Sequence, residues 1–321
     1  MKQESVDNNY IIKRPKVAVI IPYFGKWPEY FNLYLYSCSK NPQIDFFYFT
    51  DCCIPNTSYP NTHFVKTSFS KYCKKVSSAL KINFKPNSPK KLCDVKPFYG
   101  IIHKEDIKDY DFWGFADIDL IYGDMSLFVN NYNLNKYDVI TSLSIHLSGH
   151  FTLIRKSSKY TVYGYKIKDW KSKLENQKNL WLDESDFSKQ IHPLLHIFRF
   201  FFFHGINRLT KKMYKTHQFF LNCTQWLTPK LFFKEAYSTL DFYKDAEWKY
   251  MINEGKLIPP RTIFGIPDNV GGNYLHFYLM KNGVSWKGKS IYNIPTDYDF
   301  LQSDDVITIN KKGICLDKIS S

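Results

Sequence analysis

The sequence predicts an α/β fold built on a mostly parallel central sheet with flanking helices, and three observations carry that prediction. Several short apolar runs are continuous rather than alternating, as in strands buried on both faces. Stretches with helical spacing lie between them. Polar residues with chemical potential fall at the ends of the runs, where ligands bind in open sheets of this kind.

Residues 1–15 read as a polar leader ending at Pro15. Lys16 to Ile21 is the first buried strand, closed by Pro22. Pro28 and Glu29 suit a helix start, and Tyr30 to Ser39 carry apolar residues at helical spacing. Ile44 to Thr50 is a second strand, closed by Asp51, and His63 to Thr67 a third. A basic helical stretch covers Ser70 to Leu80, and another helix runs from Lys91 through Ile102. Phe112 to Ile118, Tyr137 to Ser142 and Phe151 to Arg155 are further strands. Tyr23 to Gly25, Asp51, and Asp117 to Asp119 all fall at strand ends and are expected to share one crevice. From Lys156 the pattern becomes helical and rich in aromatics, through Trp170, Trp181 and the run Leu194 to Phe203. This predicts a helical C-terminal part over 156–321, following an α/β region over 16–155. Tyr274 to Met280, after Gly271 and Gly272, reads as a late strand.

Composition narrows the function classes. A chain of 321 residues with 18% aromatics has ample material for a core, so global disorder is excluded. The net charge of +14 favours phosphate-bearing substrates or an anionic surface. Its lysine pairs are scattered, so nucleic acid is not an expected partner. Seven cysteines, odd in number and irregularly spaced, do not form a disulfide framework, and reduced thiols in the cytoplasm are expected. The N-terminus lacks the apolar core of a signal peptide. No apolar run reaches the ~18 residues that a membrane span needs.

Asp117-Ile118-Asp119 is the strongest chemical signal. On an extended chain, residues two apart point to one side. Adjacent carboxylates repel unless a cation sits between them, and an oxygen pair suits Mg2+ or Mn2+. The apolar run before the pair places it at a buried strand's end; the bland alternative is a solvated acidic loop. Lys96 offers a point charge for a phosphate, beside Asp94. His276 sits on the late strand, either as a core histidine or as a nitrogen ligand for the same metal. Asp183 and Glu184 follow aromatic residues, as a helix cap or as a general base and sugar contact.

The segments VAVIIPYFG, FYFTD, LCDVKPFYG, YDFWGFADIDLIYGD and SGHFTLIRKS, in that order, resemble a family of bacterial glycosyltransferase-like proteins. That family is similar to the GT-A class of nucleotide-diphospho-sugar transferases. The resemblance covers residues 16–190 and thins afterwards through WLDES and YLHFYLMK. It implies a nucleotide-sugar-binding α/β region followed by an acceptor-side region, with the late strand completing the site. Asp117 and Asp119 would hold the metal and donor. Pro22, Tyr23, Gly25 and Asp51 would border the nucleotide, and Asp94 and Lys96 would face the donor. Gly149, His150 and Phe151 would lie near the sugar or acceptor. Asp183 or Glu184 would take the acceptor proton if configuration inverts. His276 would complete the metal site and Lys281 would reach the donor, although the expected compact basic ending is missing after His276.

The reaction expected is hexosyl transfer from a nucleotide diphosphate to a glycan or lipid-linked acceptor, in bacterial surface polysaccharide synthesis. The cofactor would be Mn2+ or Mg2+. The run His192 to Arg208 is either a core helix or an element lying on the anionic inner face of the membrane. Two rivals stand beside this reading. One is an inert basic α/β protein that binds membranes or polyanions. The other is a Mg2+-dependent nucleotidyltransferase, against which the lone Gly25 of the first turn counts.

Overall fold

The computed structural model describes residues 14–57, 59–143, 146–194, 226–233, 237–238, 247–258, 274–276, 292–293, 305–310 and 313–317. Val17–Tyr23 forms β1, Asp45–Thr50 β2, Thr62–Lys66 β3 and Phe112–Ala116 β4. Leu120–Tyr122 (β5) leaves this layer, which continues with Val139–Thr141 (β6), Phe151–Arg155 (β7) and Leu231–Phe233 (β8). Among the described residues the main sheet has seven strands in the order β3-β2-β1-β4-β7-β6-β8. β1 to β4 are mutually parallel, as are β6 and β8. β7 runs antiparallel to β4 and β6. The sheet is therefore mixed, with a parallel half that carries the first three strand ends.

Side-chain alternation explains the continuous apolar runs. Ala18, Ile20, Trp113 and Phe115 enter one core cluster. Val17, Val19, Ile21 and Phe112 enter another on the opposite face. A strand covered on both sides has no polar face to advertise its period. Pro22 lies inside β1, beyond the point where the sequence pattern closes the strand. β4 pairs with β1 only as far as Ile20, so on that side Pro22 is outside the ladder.

Helices cover both faces. Phe31–Ser39 is α1 and Phe69–Leu80 is α2. Ser68 caps α2 by accepting from the Lys71 amide, and Tyr72, Cys73, Val76 and Leu80 form its buried stripe. The helix expected over 91–102 is mostly a 3₁₀ segment, Pro89–Phe98, followed by one α turn, Tyr99–Ile102 (α3). Pro97 supplies no amide for a continuous α-helix. Asn131–Lys136 (α4), Trp170–Glu175 (α5), a π turn at Asp183–Phe187 and Ser188–Ile191 (α6) complete the described helices. Tyr160, Ile167, Leu174, Leu182 and Phe187 join the same core cluster as Trp113, so residues 160–187 pack onto the sheet and form no separate core.

Beyond residue 226 the expectation of a helical C-terminal part is corrected. The described elements there are strands. Tyr274–His276 (β12) lies between β5 and Tyr237–Ser238 (β9) in a three-stranded sheet. Trp248–Met251 (β10), Lys256–Ile258 (β11), Tyr292–Asn293 (β13), Val306–Asn310 (β14) and Gly313–Asp317 (β15) form a five-stranded one. Trp248, Tyr250, Ile307 and Ile309 pack with Leu33 and Tyr36 of α1 and with Ile121 of β5. The alternation in Trp-Lys-Tyr-Met and the Asn310–Gly313 hairpin register account for the strands. Residues 195–208 lie outside the described residues, as do 277–280 of the expected late strand.

Candidate metal site

The carboxyl ends of β1, β2 and β4 leave one edge of the sheet. Their turns meet there, as the Gly25 amide donates to Asp51 Oδ1 at 2.8 Å. Gly25 has φ +111°, a conformation that an L side chain would strain. Lys66 pins the second turn by donating to the carbonyls of Asp51 and Cys52, each at 2.7 Å. Pro22 and Tyr23 end β1 half-buried at this edge. The Tyr23 hydroxyl donates to the Lys26 carbonyl at 3.1 Å and is pushed up by burial, then by Cys52 and Asp119. Tyr23 stacks on Trp27, which stacks on Phe31, with centroids 5.0 and 3.7 Å apart. Trp27 was not singled out by sequence. A tryptophan two residues beyond the glycine of the turn is the only local signal it gave.

Asp117 and Asp119 converge by a different route from the one expected. β4 ends at Ala116, and Ile118 and Asp119 form a bend before β5. The bend, not strand alternation, brings the carboxylates together. β12 then pairs antiparallel with β5, setting His276 opposite Leu120, one residue from Asp119. His276 Nε2 lies 3.6 Å from Asp119 Oδ1. Potential ligand atoms of Asp117, Asp119 and His276 all fall within 4.8 Å of one another, a candidate metal-binding cluster. The His150 ring stacks on His276 at 4.2 Å. Burial, and then His276, hold His150 well below the usual histidine range, so it stays neutral.

Lys96 links this cluster to the acidic pair. Its Nζ donates to Asp117 Oδ1 and the Gly149 carbonyl, each at 2.7 Å. It also sits 3.3 Å from Asp183 Oδ2. Burial would lower Lys96, but Asp117 and then Asp183 outweigh it and hold the ammonium charged. Burial lifts the Asp183 carboxyl to about 7 against the pull of Lys96. Asp183 Oδ1 is buried and has no hydrogen-bond partner within the described protein. Glu184 Oε1 accepts the Gly149 amide at 3.0 Å. A Cβ on Gly149 would lie 2.7 Å from that oxygen and 2.8 Å from Asp183 Oδ2, so only glycine lets both carboxylates approach.

Two expected site residues belong elsewhere. Asp94 does not face the edge: it is fully buried and accepts from Lys91 Nζ and the Leu180 and Leu182 amides. Its oxygens are already used, which leaves nothing for a donor. Phe151 opens β7 and is a core residue packed by Tyr122 and Phe128. Lys281 lies outside the described residues.

The model of a family of unknown function, DUF6625, matches residues 19–257. The chain belongs to the DUF6625 family. The match includes Asp117, Asp119 and Asp183 and ends before His276. Among solved structures, the chain is similar to the apo form of the glycosyltransferase GlyE of Streptococcus pneumoniae TIGR4, at 10% identity and a TM-score of 0.30. The match covers 68% of this chain and 54% of GlyE, about half of that protein's length. A second GlyE structure matches at 11% identity and a TM-score of 0.28, with the same coverage. This likeness is too loose to carry a functional meaning. A search of curated proteins found no match.

Proposed function

We propose that this DUF6625 protein is a metal-dependent glycosyltransferase that moves a sugar from a nucleotide diphosphate to a hydroxyl of a glycan or lipid-linked acceptor. The observation that carries the reading is the convergence of Asp117, Asp119 and His276 at the carboxyl edge of parallel strands. Two carboxylates and an imidazole fit a divalent cation, and the nitrogen donor favours Mn2+ over Mg2+. When bound, such a cation would neutralise charge on the leaving diphosphate.

The remaining roles belong to the chain itself. Lys96 holds Asp117 in place and adds a positive charge beside the site. The turns at Tyr23–Gly25 and Asp51 border the nucleotide. Asp183 Oδ1 is the free base: it takes the acceptor's proton as the hydroxyl oxygen bonds to the anomeric carbon and the bond to the diphosphate breaks. A carboxyl near pH 7 is suited to that transfer. Glu184 braces the Gly149 loop and so sets the distance between acid and metal site.

We place the work of the protein at the cytoplasmic face of the membrane, where the positive charge would meet anionic lipid. Among the described residues no helix is long and apolar enough to cross a membrane. The deciding experiment is a panel of nucleotide-sugars assayed for Mn2+-dependent release of nucleoside diphosphate. Release from one donor, abolished by a chelator, is expected. Release from none, together with salt-sensitive binding to anionic vesicles, would favour an inert surface-binding protein instead.

A further inference from the structure

The 3₁₀ segment Pro89–Phe98 carries a second ion pair that the transfer chemistry does not use. Lys91 and Asp94 are 2.7 Å apart, with side chains 1% and 0% exposed. Lys91 Nζ also donates to the carbonyls of Lys173, at 2.8 Å, and Lys178, at 2.6 Å. Its three ammonium hydrogens are thereby all used. Asp94 accepts the Leu180 amide at 2.9 Å and the Leu182 amide at 3.0 Å. The pair thus grips one stretch of chain at residues 173, 178, 180 and 182, immediately before Asp183.

The gripped stretch has an unusual shape. Trp181, between the two held amides, has φ +51° and an exposed ring. A left-handed tryptophan persists only where its surroundings impose it. Here the flanking amides are both fixed on one carboxylate, and the Trp181 amide between them donates to Asn179 Oδ1 at 3.2 Å. The turn aims the next residues inward, so that Asp183 reaches Lys96 and Glu184 reaches the Gly149 amide. Lys96 lies two residues after Asp94 on the same segment, so the grip and the cation share one rigid piece of backbone.

We propose that the Lys91–Asp94 pair is a positioning device: it sets the Trp181 turn and thereby holds Asp183 and Glu184 against Lys96 and Gly149. The catalytic consequence rests on the glycosyl-transfer reading; the positioning itself does not. Two measurements separate them. Removing one partner would leave a buried charge and risks unfolding, so the test replaces both, Lys91→Met with Asp94→Asn. Amide exchange over residues 179–187 should quicken at least tenfold, while exchange in β1 stays as in wild type. With an accepted donor, kcat should fall about tenfold and the donor KM should change less than twofold. Unchanged exchange over 179–187 overturns the proposal, as does quickened exchange with unchanged kcat. If the double variant does not fold, wild-type protein still decides: the Leu180 and Leu182 amides should exchange at least tenfold more slowly than the same residues in an unstructured chain, and unprotected rates overturn the proposal. A wild type that turns over no donor defeats the enzyme reading alone, because the exchange rates remain decisive for positioning.

Discussion

Two buried lysines five residues apart, Lys91 and Lys96, lead opposite lives. Lys91 and Asp94 are closed on themselves: every ammonium hydrogen and both carboxylate oxygens have partners inside the protein. Lys96 is shared between two carboxylates. One of them, Asp117, has a side chain 36% exposed, and the other, Asp183, keeps a buried oxygen with no partner in the described protein. Full satisfaction rigidifies a polar network, whereas a partly satisfied one is costly unless something else uses it. The contrast separates a brace from a reactive centre within ten residues of sequence.

Breaking the closed pair should give the largest effect. Lys91→Met alone strands a buried carboxylate and should cost about 3–5 kcal/mol in denaturant unfolding. A loss below about 1 kcal/mol would mean that the pair is not buried as described. The open centre should respond in function instead. Asp119→Asn should leave the unfolding midpoint close to wild type and lower Mn2+-dependent turnover about 100-fold, or about 2.7 kcal/mol. Equal turnover at matched folding would remove Asp119 from the metal site.

His276→Ala sharpens the comparison, since a ligand and a core histidine fail differently. The Mn2+ concentration for half-maximal activity should rise about tenfold, or about 1.4 kcal/mol, with little change of melting temperature in metal-free buffer. A large melting loss with an unchanged metal requirement would return His276 to the core. A further effect concerns pH. Asp183 keeps its proton up to about pH 7 in the folded protein, whereas the unfolded chain releases it near the ordinary carboxylate value. The folded state therefore binds more protons in this window. Its stability should fall as pH rises from about 4 to about 7, by about 1 kcal/mol per pH unit, and level off above. Asp183→Asn should flatten that slope in urea titrations at several pH values. An identical slope in the variant would show that the carboxyl ionises freely.

The sequence by itself determined the parallel half of the sheet and the candidate metal carboxylates. Strands covered on both faces have to be apolar throughout, so Lys16 to Ile21, Ile44 to Thr50 and Phe112 onward were legible without any partner. A pair of acids at the end of such a run was legible for the same reason, because Asp117 and Asp119 are the only charged residues between Phe112 and Tyr122. Only the tertiary structure decided which other residues meet them. His276 reaches Asp119 because β12 pairs with β5 in one register, and a one-residue slip would turn its ring away. Nothing local to YLHFY encodes that register. Asp94 and Lys96 look alike on paper, two residues apart among apolar neighbours, yet one closes on Lys91 and the other's partner, Asp117, is partly exposed. The side of a 3₁₀ turn on which each projects is set by what packs there, and those partners arrive from Asp117 and from residues 149 to 183. The strands beyond residue 226 were harder to read because each is only two to five residues long, too short to show a period.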